Sequence, residues 1–272
     1  DCKFDRKNYF YPDNPQNYQI SQLYLPICRN GHVDVTLSDG TEKTIRIHEI
    51  HMEEDAGKLV HDEWEGVSYV DYNRSGVPLI EIVSEPDMRS AEEVIAYLTK
   101  LRTTIQYLGA SDCKLQEGSM RADVNLSVRE RGSSEFGTRT ETKNLNSFAA
   151  IERAIKAETA RQIDLIEAGE KVVQETRRWN DDKEYSYAMR SKEDAQDYRY
   201  FPDPDLVPIH ISDEYLAELK AKQPEFKDEK KARYIEEFGL PEYDAEILTD
   251  SKKFTEIFEE ATAICNQPKK VS

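Results

Sequence analysis

The feature that most constrains this chain is a run of twelve residues, 47–58, in which strand-like alternation passes directly into a cluster of charges. The run holds two His, three Glu, one Asp and one Lys, a composition that is atypical of a fully buried strand. Because successive side chains of a strand point to opposite faces, Ile47, Glu49 and His51 share one face. We therefore predict a strand that runs into an acidic turn closed by Gly57.

An acidic cluster at the end of a strand has two interpretations. It can hold a hard cation such as Mg2+, which prefers oxygen ligands and retains several waters. It can also be a solvated run of charges near the tip of a hairpin. Spacing alone favours the solvated run, because charge runs are common and metal sites are rare. The choice therefore depends on other parts of the chain.

Composition limits the classes of partner. Lys and Arg number 37 and Asp and Glu number 54, which gives a net charge of −17. Such a surface repels phosphate over most of its area, so the chain is not a general nucleic-acid coat, although a local basic patch can still contact RNA. The 272 residues suffice for one large domain and a smaller one.

Cysteine spacing and hydropathy bear on the compartment. The four cysteines have no C-x-x-C spacing, so they encode no zinc knuckle, and they do not suggest a disulfide framework. No apolar run approaches the length of a transmembrane span. We expect a cytoplasmic protein that has neither a signal peptide nor a membrane partner.

Periodicity predicts an α+β fold, in which a largely antiparallel sheet with flanking helices is followed by the start of a helical domain. A helix over residues 91–108 begins after Ser90 and ends at Gly109. Beyond residue 212 the pattern is helical and highly charged, so we place a domain boundary near residue 210 and divide the chain into 1–210 and 211–272. The segments predicted as strands before the first helix are 32–37, 43–52, 67–72 and 78–84.

Two later segments carry a polar face with a period of two. Arg121 and Asp123 alternate with apolar residues in the first, and Glu141 and Lys143 share one face of the second. If the two segments pair as strands, the carboxylates of Asp123 and Glu141 converge with that of Glu54 on one cation. The alternative is an ordinary sheet surface that faces solvent.

A carboxylate also interrupts the apolar strand predicted at 78–84. Glu81 lies between Ile80 and Ile82. A carboxylate in apolar surroundings is unfavourable unless it is paired with another charge or bound to a metal. The sequence therefore marks Glu81 as a residue that needs a partner.

Five segments together resemble one known family, the B subunits of the tRNA-dependent amidotransferases. The resemblance extends over nearly the whole chain, and the segments occur in the family's order. It implies a subunit that uses ATP and Mg2+ to phosphorylate the side-chain carboxylate of Glu-tRNA(Gln) or Asp-tRNA(Asn). Ammonia from a partner glutaminase then displaces the phosphate. The segments are 51–58, 71–87, 117–125, 141–147 and 197–205.

The resemblance also implies site residues and partners. Glu54, Asp123 and Glu141 would be the metal ligands, with Glu53 as the alternative to Glu54. The partners would be an amidase-type glutaminase A subunit, a small C subunit and the mischarged tRNA. Residues 1–210 would form the kinase-like catalytic domain, and residues 211–272 would begin a helical domain that binds tRNA.

Arg121 and Lys143 are candidate phosphate clamps on the polar pattern itself, independently of the family. They lie beside the expected ligands and on the same strand faces. Forming an acyl phosphate requires neutralising the γ-phosphate and the attacking carboxylate together, and both a cation and basic side chains serve that purpose.

The chain also departs from the family pattern. Family members open with a Glu-x-His strand and a four-cysteine zinc motif, which this sequence lacks, and they end in a tail domain. The first residue is Asp1 rather than Met, and the sequence that follows is typical of the middle of a domain. We therefore expect an N-terminally truncated fragment that is inactive in isolation.

Two other functions are compatible with the sequence. The chain can be a non-catalytic subunit that docks tRNA, in which case its acidic residues form surface salt bridges. It can also be an unrelated Mg2+-dependent phosphotransferase acting on a small carboxylic acid. The geometry of Glu54, Asp123 and Glu141 tests the first alternative, and activity on free glutamate tests the second.

Overall fold

The computed structural model describes residues 1–62, 64–191 and 197–272. Helices and mostly antiparallel strands are mixed along these residues, so the predicted α+β class is confirmed. The strands form several small sheets rather than one large sheet.

Strands predominate in the first two thirds of the chain, and helices make up most of the last third. The strands are β1 (Asp5–Asn8), β2 (Tyr18–Ser21), β3 (Cys28–Thr36), β4 (Glu42–Glu54), β5 (Lys58–Asp62), β6 (Val67–Asp71), β7 (Pro78–Ser84), β8 (Val124–Leu126), β9 (Thr140–Lys143), β10 (Glu175–Asn180), β11 (Tyr185–Ser191) and β12 (Phe201–Pro202). The helices are α1 (Ala91–Leu108), α2 (Phe148–Glu167), α3 (Asp213–Lys222), α4 (Lys227–Glu236), α5 (Glu242–Thr249), α6 (Lys252–Cys265) and α7 (Pro268–Val271).

The chain divides into two compact units. Unit one holds residues 1–34, the described residues between 42 and 88, and residues 197–218. Unit two holds residues 35–41, the described residues between 89 and 191, and residues 219–272. The boundary that the sequence suggests near residue 210 stays a prediction.

Unit one is built around β4, the strand that contains most of the opening charged run. β4 lies between β3 and β7, and it pairs with β7 in antiparallel register. Its apolar residues Ile45 and Ile47 are buried. The register then shifts by one residue between Ile47 and Glu49, which is a β-bulge at His48. Beyond the bulge, Glu49, His51 and Glu53 lie on one face of the strand.

The remaining sheets of unit one are small. β1 pairs with β2 and β12, and β5 pairs with β6, all in antiparallel register. The predicted strands at 67–72 and 78–84 are confirmed as β6 and β7. A hairpin turn joins β3 to β4, and Gly40 adopts a φ of 84° there.

Unit two packs helices on a sheet of order β11-β10-β9-β8. α1 has the predicted bounds, because the Ser90 hydroxyl accepts a hydrogen bond from the Glu93 N–H and Gly109 ends the helix with a φ of 71°. The apolar core of this unit consists of Ala91, Leu145, Ala150, Ile151, Ala154, Ile155 and Trp179.

The C-terminal region is helical, as predicted. α4, α5 and α6 bury a small apolar cluster of Tyr234, Leu240, Ala245 and Phe258. Within the described residues, no helix combines the length and the apolar character needed to cross a bilayer.

Candidate functional site

A histidine and two carboxylates meet on the face shared by β4 and β7. His51 stands opposite Glu81 in the strand register, and Glu53 follows two residues later on β4. The His51 Nε2 atom lies 3.4 Å from Glu53 Oε1 and 3.3 Å from Glu81 Oε2. We call these three residues the histidine–carboxylate cluster. One donor atom from each lies within 4.8 Å of the other two.

Strand β2 holds the carboxylate of Glu53 in place. The Ser21 hydroxyl donates a 2.9 Å hydrogen bond to Glu53 Oε1, and the Gln19 amide lies 3.5 Å from Glu53 Oε2. Gln22, which is buried, accepts a 3.0 Å hydrogen bond from the Met52 N–H. Both the Glu53 side chain and the β4 backbone beside it are therefore fixed by neighbouring side chains.

The electrostatics of the cluster centre on the imidazole. Hydrogen bonds to Glu53 and Glu81, together with their negative charges, raise the pKa of His51 to about 10 despite partial burial. The buried Nδ1 atom has no hydrogen-bond partner among the described residues, and Glu49 Oε1 lies 3.4 Å away from it. The ring is thus surrounded by carboxylates, and one of its nitrogen atoms is unsatisfied.

Once the imidazole has lost its proton, this donor set fits a divalent cation, which would take the place of that proton between the ring and the carboxylates. Ligands at roughly 2.1 Å from an octahedral ion lie about 3.0 Å apart when adjacent and about 4.2 Å apart when opposite, so the spacings around His51 are of the right size. Carboxylate oxygens suit Mg2+ and Mn2+, and imidazole nitrogen suits transition metals. Glu53, Glu81 and one ring nitrogen of His51 would hold the ion.

Glu54, the ligand that the resemblance implies first, belongs to a different local environment. Its carboxylate accepts hydrogen bonds from the Gln16 amide and, at 3.1 Å, from the Ile20 N–H. The alternative ligand, Glu53, is the residue that lies in the histidine–carboxylate cluster. The set of Glu54, Asp123 and Glu141 stays a prediction, since Glu54 lies in unit one and the other two lie in unit two.

Three of the other sequence-predicted residues, Asp123, Glu141 and Lys143, come together in unit two. β8 pairs with β9 in antiparallel register, which is the condition that the sequence left open. The Lys143 Nζ atom lies 2.8 Å from Asp123 Oδ2 and 3.4 Å from Glu141 Oε1. The Thr176 hydroxyl donates a 2.9 Å hydrogen bond to Glu141 Oε2. We call Asp123, Glu141 and Lys143 the lysine-centred cluster.

Lys143 provides the positive charge of the lysine-centred cluster. Burial opposes that charge, but the hydrogen bonds and charges of Asp123 and Glu141 outweigh it and raise the pKa of Lys143 above its ordinary value. Arg121 precedes β8 and is exposed. It lies two residues before Asp123 in the same alternating polar pattern. The arrangement presents an ammonium group flanked by two carboxylates.

A buried polar network lies behind β9. Glu158 of α2 accepts hydrogen bonds from Thr140 at 2.7 Å, from Gln162 at 2.9 Å and from Arg161 at 2.7 and 2.8 Å. Thr140 alternates with Glu141 along β9, so the two side chains occupy opposite faces. The network therefore fixes the strand that carries two of the three residues of the lysine-centred cluster.

Sequence reasoning did not assign a role to His51 and Glu81. A signal for each was present, because Glu81 interrupts an apolar strand and His51 shares a face with Glu49 and Glu53. What the pattern lacked was the register that sets His51 opposite Glu81.

Comparison with known proteins identifies the family of the chain. The family model described as the GatB/GatE catalytic domain matches residues 1–217. The aspartyl/glutamyl-tRNA(Asn/Gln) amidotransferase B subunit of Agathobacter rectalis is 76% identical over 270 residues, which cover 99% of this chain and 57% of that protein. The protein of the same name from Lachnoclostridium phytofermentans is 68% identical over 271 residues, which cover 100% of this chain and 56% of that protein. The chain thus spans little more than half the length of these curated relatives, and it belongs to the GatB/GatE catalytic-domain family.

Proposed function

We propose that the chain is the catalytic part of a B subunit that amidates mischarged tRNA. With ATP, it would phosphorylate the side-chain carboxylate of Glu-tRNA(Gln) or Asp-tRNA(Asn) in the cytoplasm. Ammonia from a glutaminase subunit would then replace the phosphate. The family membership supports this proposal, and so does the histidine–carboxylate cluster, which lies in segments 51–58 and 71–87 that carry the resemblance.

The chemistry explains why such a site is needed. A carboxylate is a poor acyl donor, and an acyl phosphate is a good one. In the first step a carboxylate oxygen bonds to the γ-phosphorus as the bond to the ADP oxygen breaks. In the second step ammonia attacks the acyl carbon and inorganic phosphate leaves. Both reactants of the first step are anionic, so the protein must supply positive charge.

The histidine–carboxylate cluster is the proposed cation site. Glu53, Glu81 and a ring nitrogen of His51 would hold Mg2+, which when bound neutralises charge on the transferring phosphoryl group. Ser21 keeps the Glu53 carboxylate oriented toward the imidazole. We place Glu53 rather than Glu54 in this role, because Glu53 Oε1 lies 3.4 Å from His51 Nε2 and groups with Glu81, whereas the Glu54 carboxylate contacts Gln16 and Ile20.

The lysine-centred cluster is the proposed phosphate-positioning element. Lys143 and Arg121 would contact phosphate oxygens, and Asp123 and Glu141 would hold Lys143 in position. Asp123 and Glu141 also remain proposed ligands of a cation carried by the nucleotide. Since Lys143 already neutralises part of their charge, we regard their cluster as the weaker of the two cation sites.

The test uses the full-length subunit assembled with its glutaminase and small C partner subunits. ATP hydrolysis is measured with Glu-tRNA(Gln), with Asp-tRNA(Asn), with free glutamate and without an acceptor, and hydroxylamine traps any acyl phosphate as a hydroxamate. We expect hydrolysis and trapping to depend on a mischarged tRNA. Equal activity with free glutamate would favour the small-molecule phosphotransferase, and absence of ATP turnover would favour the docking subunit.

A further inference from the structure

A group of tyrosine rings lies where β1 ends and β12 begins. The rings of Tyr9 and Tyr198 meet edge to face with their centroids 6.0 Å apart, and those of Tyr198 and Tyr200 do the same at 6.1 Å. We call these three residues the tyrosine platform. All three are half-buried, so each is anchored and still partly accessible.

Hydrogen bonds from Asn8, the last residue of β1, hold the platform together. The Asn8 N–H donates a 3.0 Å hydrogen bond to the Tyr198 carbonyl, and the Asn8 side-chain amide donates a 2.9 Å hydrogen bond to the Arg199 carbonyl. Arg199 adopts a positive φ of 45°, a conformation that is unfavourable for a residue with a Cβ and that needs such support. The rings on either side of Arg199 are therefore held in a defined arrangement.

Lys7 adds one positive charge to the platform. Its Nζ atom lies 4.8 Å from the centroid of the Tyr198 ring and 5.9 Å from that of Tyr9. Across the described part of the chain it makes no ion pair with a carboxylate, whereas its neighbour Arg6 bonds Asp203 at 2.6 Å. In a chain of net charge −17, a lysine paired with rings rather than carboxylates is available for a phosphate.

Strand pairing places the tyrosine platform beside the histidine–carboxylate cluster, because Lys7 of β1 pairs with Gln19 of β2, whose amide lies 3.5 Å from Glu53 Oε2. The charges of Glu53 and Glu54 contribute, after burial, to raising the pKa of Tyr9 to about 12. Those of Glu53 and Glu81 contribute in the same way to Tyr200, whose pKa burial also raises to about 12. A ligand on the platform would therefore lie near the proposed site of phosphoryl transfer.

We propose that Tyr9, Tyr198, Tyr200 and Lys7 form a stacking site for an unpaired nucleotide of an RNA chain. This inference rests on the proposed function, in which the substrate is attached to RNA. Unpaired bases are recognised by stacking on aromatic rings, with basic groups on the backbone phosphates. The charges around the platform favour a phosphodiester over free ATP. The single ammonium group of Lys7, which lies near carboxylates, can balance one negative charge but not the several charges of a triphosphate.

The test measures binding of a fluorescein-labelled single-stranded RNA hexamer ending in CCA to the 272-residue chain by anisotropy, and binding of ATP by calorimetry. We expect Tyr198→Ala to weaken RNA binding by about 10-fold and Tyr198→Phe to restore it, because the ring and not the hydroxyl stacks. Tyr187→Ala is the matched control, since Tyr185 and Tyr187 form a comparable exposed ring pair in unit two with centroids 6.1 Å apart.

Lys7→Gln gives a second readout that does not depend on removing a ring. In a plot of the logarithm of the RNA association constant against the logarithm of salt concentration, it should make the negative slope shallower by about 0.7, the value for one phosphate of a single strand. ATP binding should be unchanged in every variant. The stacking site would be overturned if RNA binding were unchanged in both Tyr198→Ala and Lys7→Gln. It would also be overturned if these variants lost ATP binding and kept RNA binding. In either case tRNA-dependent acyl-phosphate trapping by the assembled enzyme would still support the proposed function.

Discussion

His51 of β4 stands directly opposite Glu81 of β7, and the imidazole Nε2 atom lies 3.3 Å from Glu81 Oε2. This cross-strand pair gives the carboxylate in the middle of β7 the partner that its position requires. It also places the imidazole between carboxylates from two strands, since Glu53 of β4 lies 3.4 Å from the same nitrogen. The pair is the structural basis of the proposed cation site.

Gly57 should not tolerate a larger residue. A Cβ atom there would lie 2.9 Å from Tyr72 Cδ1 and 3.1 Å from the carbonyl oxygens of Asp13 and Asp71. Because two of these contacts are with backbone, we expect Gly57→Ala to lower the free energy of unfolding by about 1–3 kcal/mol in urea denaturation. Gly31→Ala is the matched control, since its Cβ would make only ordinary contacts of 3.5 and 3.8 Å with Ile47. Equal stability of the two variants would show that the chain around Gly57 can adjust.

Glu158→Gln should destabilise unit two. The change keeps the shape of the side chain but removes the charge that Arg161 and the nearby Arg177 neutralise. Breaking a buried ion pair from one side typically lowers stability by about 3 kcal/mol. Urea unfolding followed by the fluorescence of buried Trp179, in a Trp64→Phe background, measures the effect in this unit. A loss below about 0.5 kcal/mol would mean that the network contributes little.

The same carboxylate should make the stability of unit two depend on pH. Burial favours a raised pKa for Glu158, but hydrogen bonds from Arg161, Gln162 and Thr140 outweigh it and lower the pKa. A carboxyl group whose pKa is lower in the folded state stabilises the fold fully above its unfolded pKa of about 4.3. This stabilisation is lost as the pH falls through the lower folded-state value. The free energies of unfolding of the wild type and Glu158→Gln, measured by denaturation at pH 7 and at lower pH, should therefore converge as the pH falls. A difference that does not change with pH would contradict the assignment.

Glu141→Gln should impair phosphoryl transfer in the full-length subunit assembled with its partners. Glu141 contacts Lys143 and is itself a proposed ligand, so we expect tRNA-dependent ATP hydrolysis to fall by about 100-fold, equivalent to roughly 2.7 kcal/mol of transition-state stabilisation. Glutamine hydrolysis and tRNA affinity, measured on the same preparation, should be largely retained. Glu152→Gln, which alters an exposed ion pair with Lys156, is the control. ATP hydrolysis near the wild-type rate would make Glu141 a structural residue.

Local features of the fold were predictable from the sequence. Ser90 and Gly109 predicted the ends of α1, because capping and a left-handed C-terminal residue act within a few residues of the chain. The alternation around Asp123 and Lys143 likewise indicated that both side chains would share one face if their segments paired as strands. The ion pair between the two residues was not predicted.

Features that depend on distant pairing were not predictable. The bulge at His48 and the register that joins His51 to Glu81 arise from contact between β4 and β7, which no local pattern encodes. Strand β5 was missed as well, because its side chains are largely exposed and carry no alternation of burial. The choice between Glu53 and Glu54 could not be made from two adjacent carboxylates.

Binding of a divalent cation by the histidine–carboxylate cluster is central to the proposed chemistry. The most direct test is the affinity for Mn2+, followed by electron paramagnetic resonance of free Mn2+ at fixed pH, for the wild-type chain and three variants. The variants are Glu53→Gln, Glu81→Gln and Glu54→Gln. Each replaces a carboxylate by an amide of the same shape, so the comparison isolates the charge and the oxygen donor.

We predict that Glu53→Gln and Glu81→Gln each weaken Mn2+ binding by about 10-fold or more, because both remove a ligand, and that Glu54→Gln changes it by less than about 2-fold. Competition with Mg2+ should displace the bound Mn2+ in the wild type. Wild-type affinity in Glu81→Gln, or a loss confined to Glu54→Gln, would contradict the site described here.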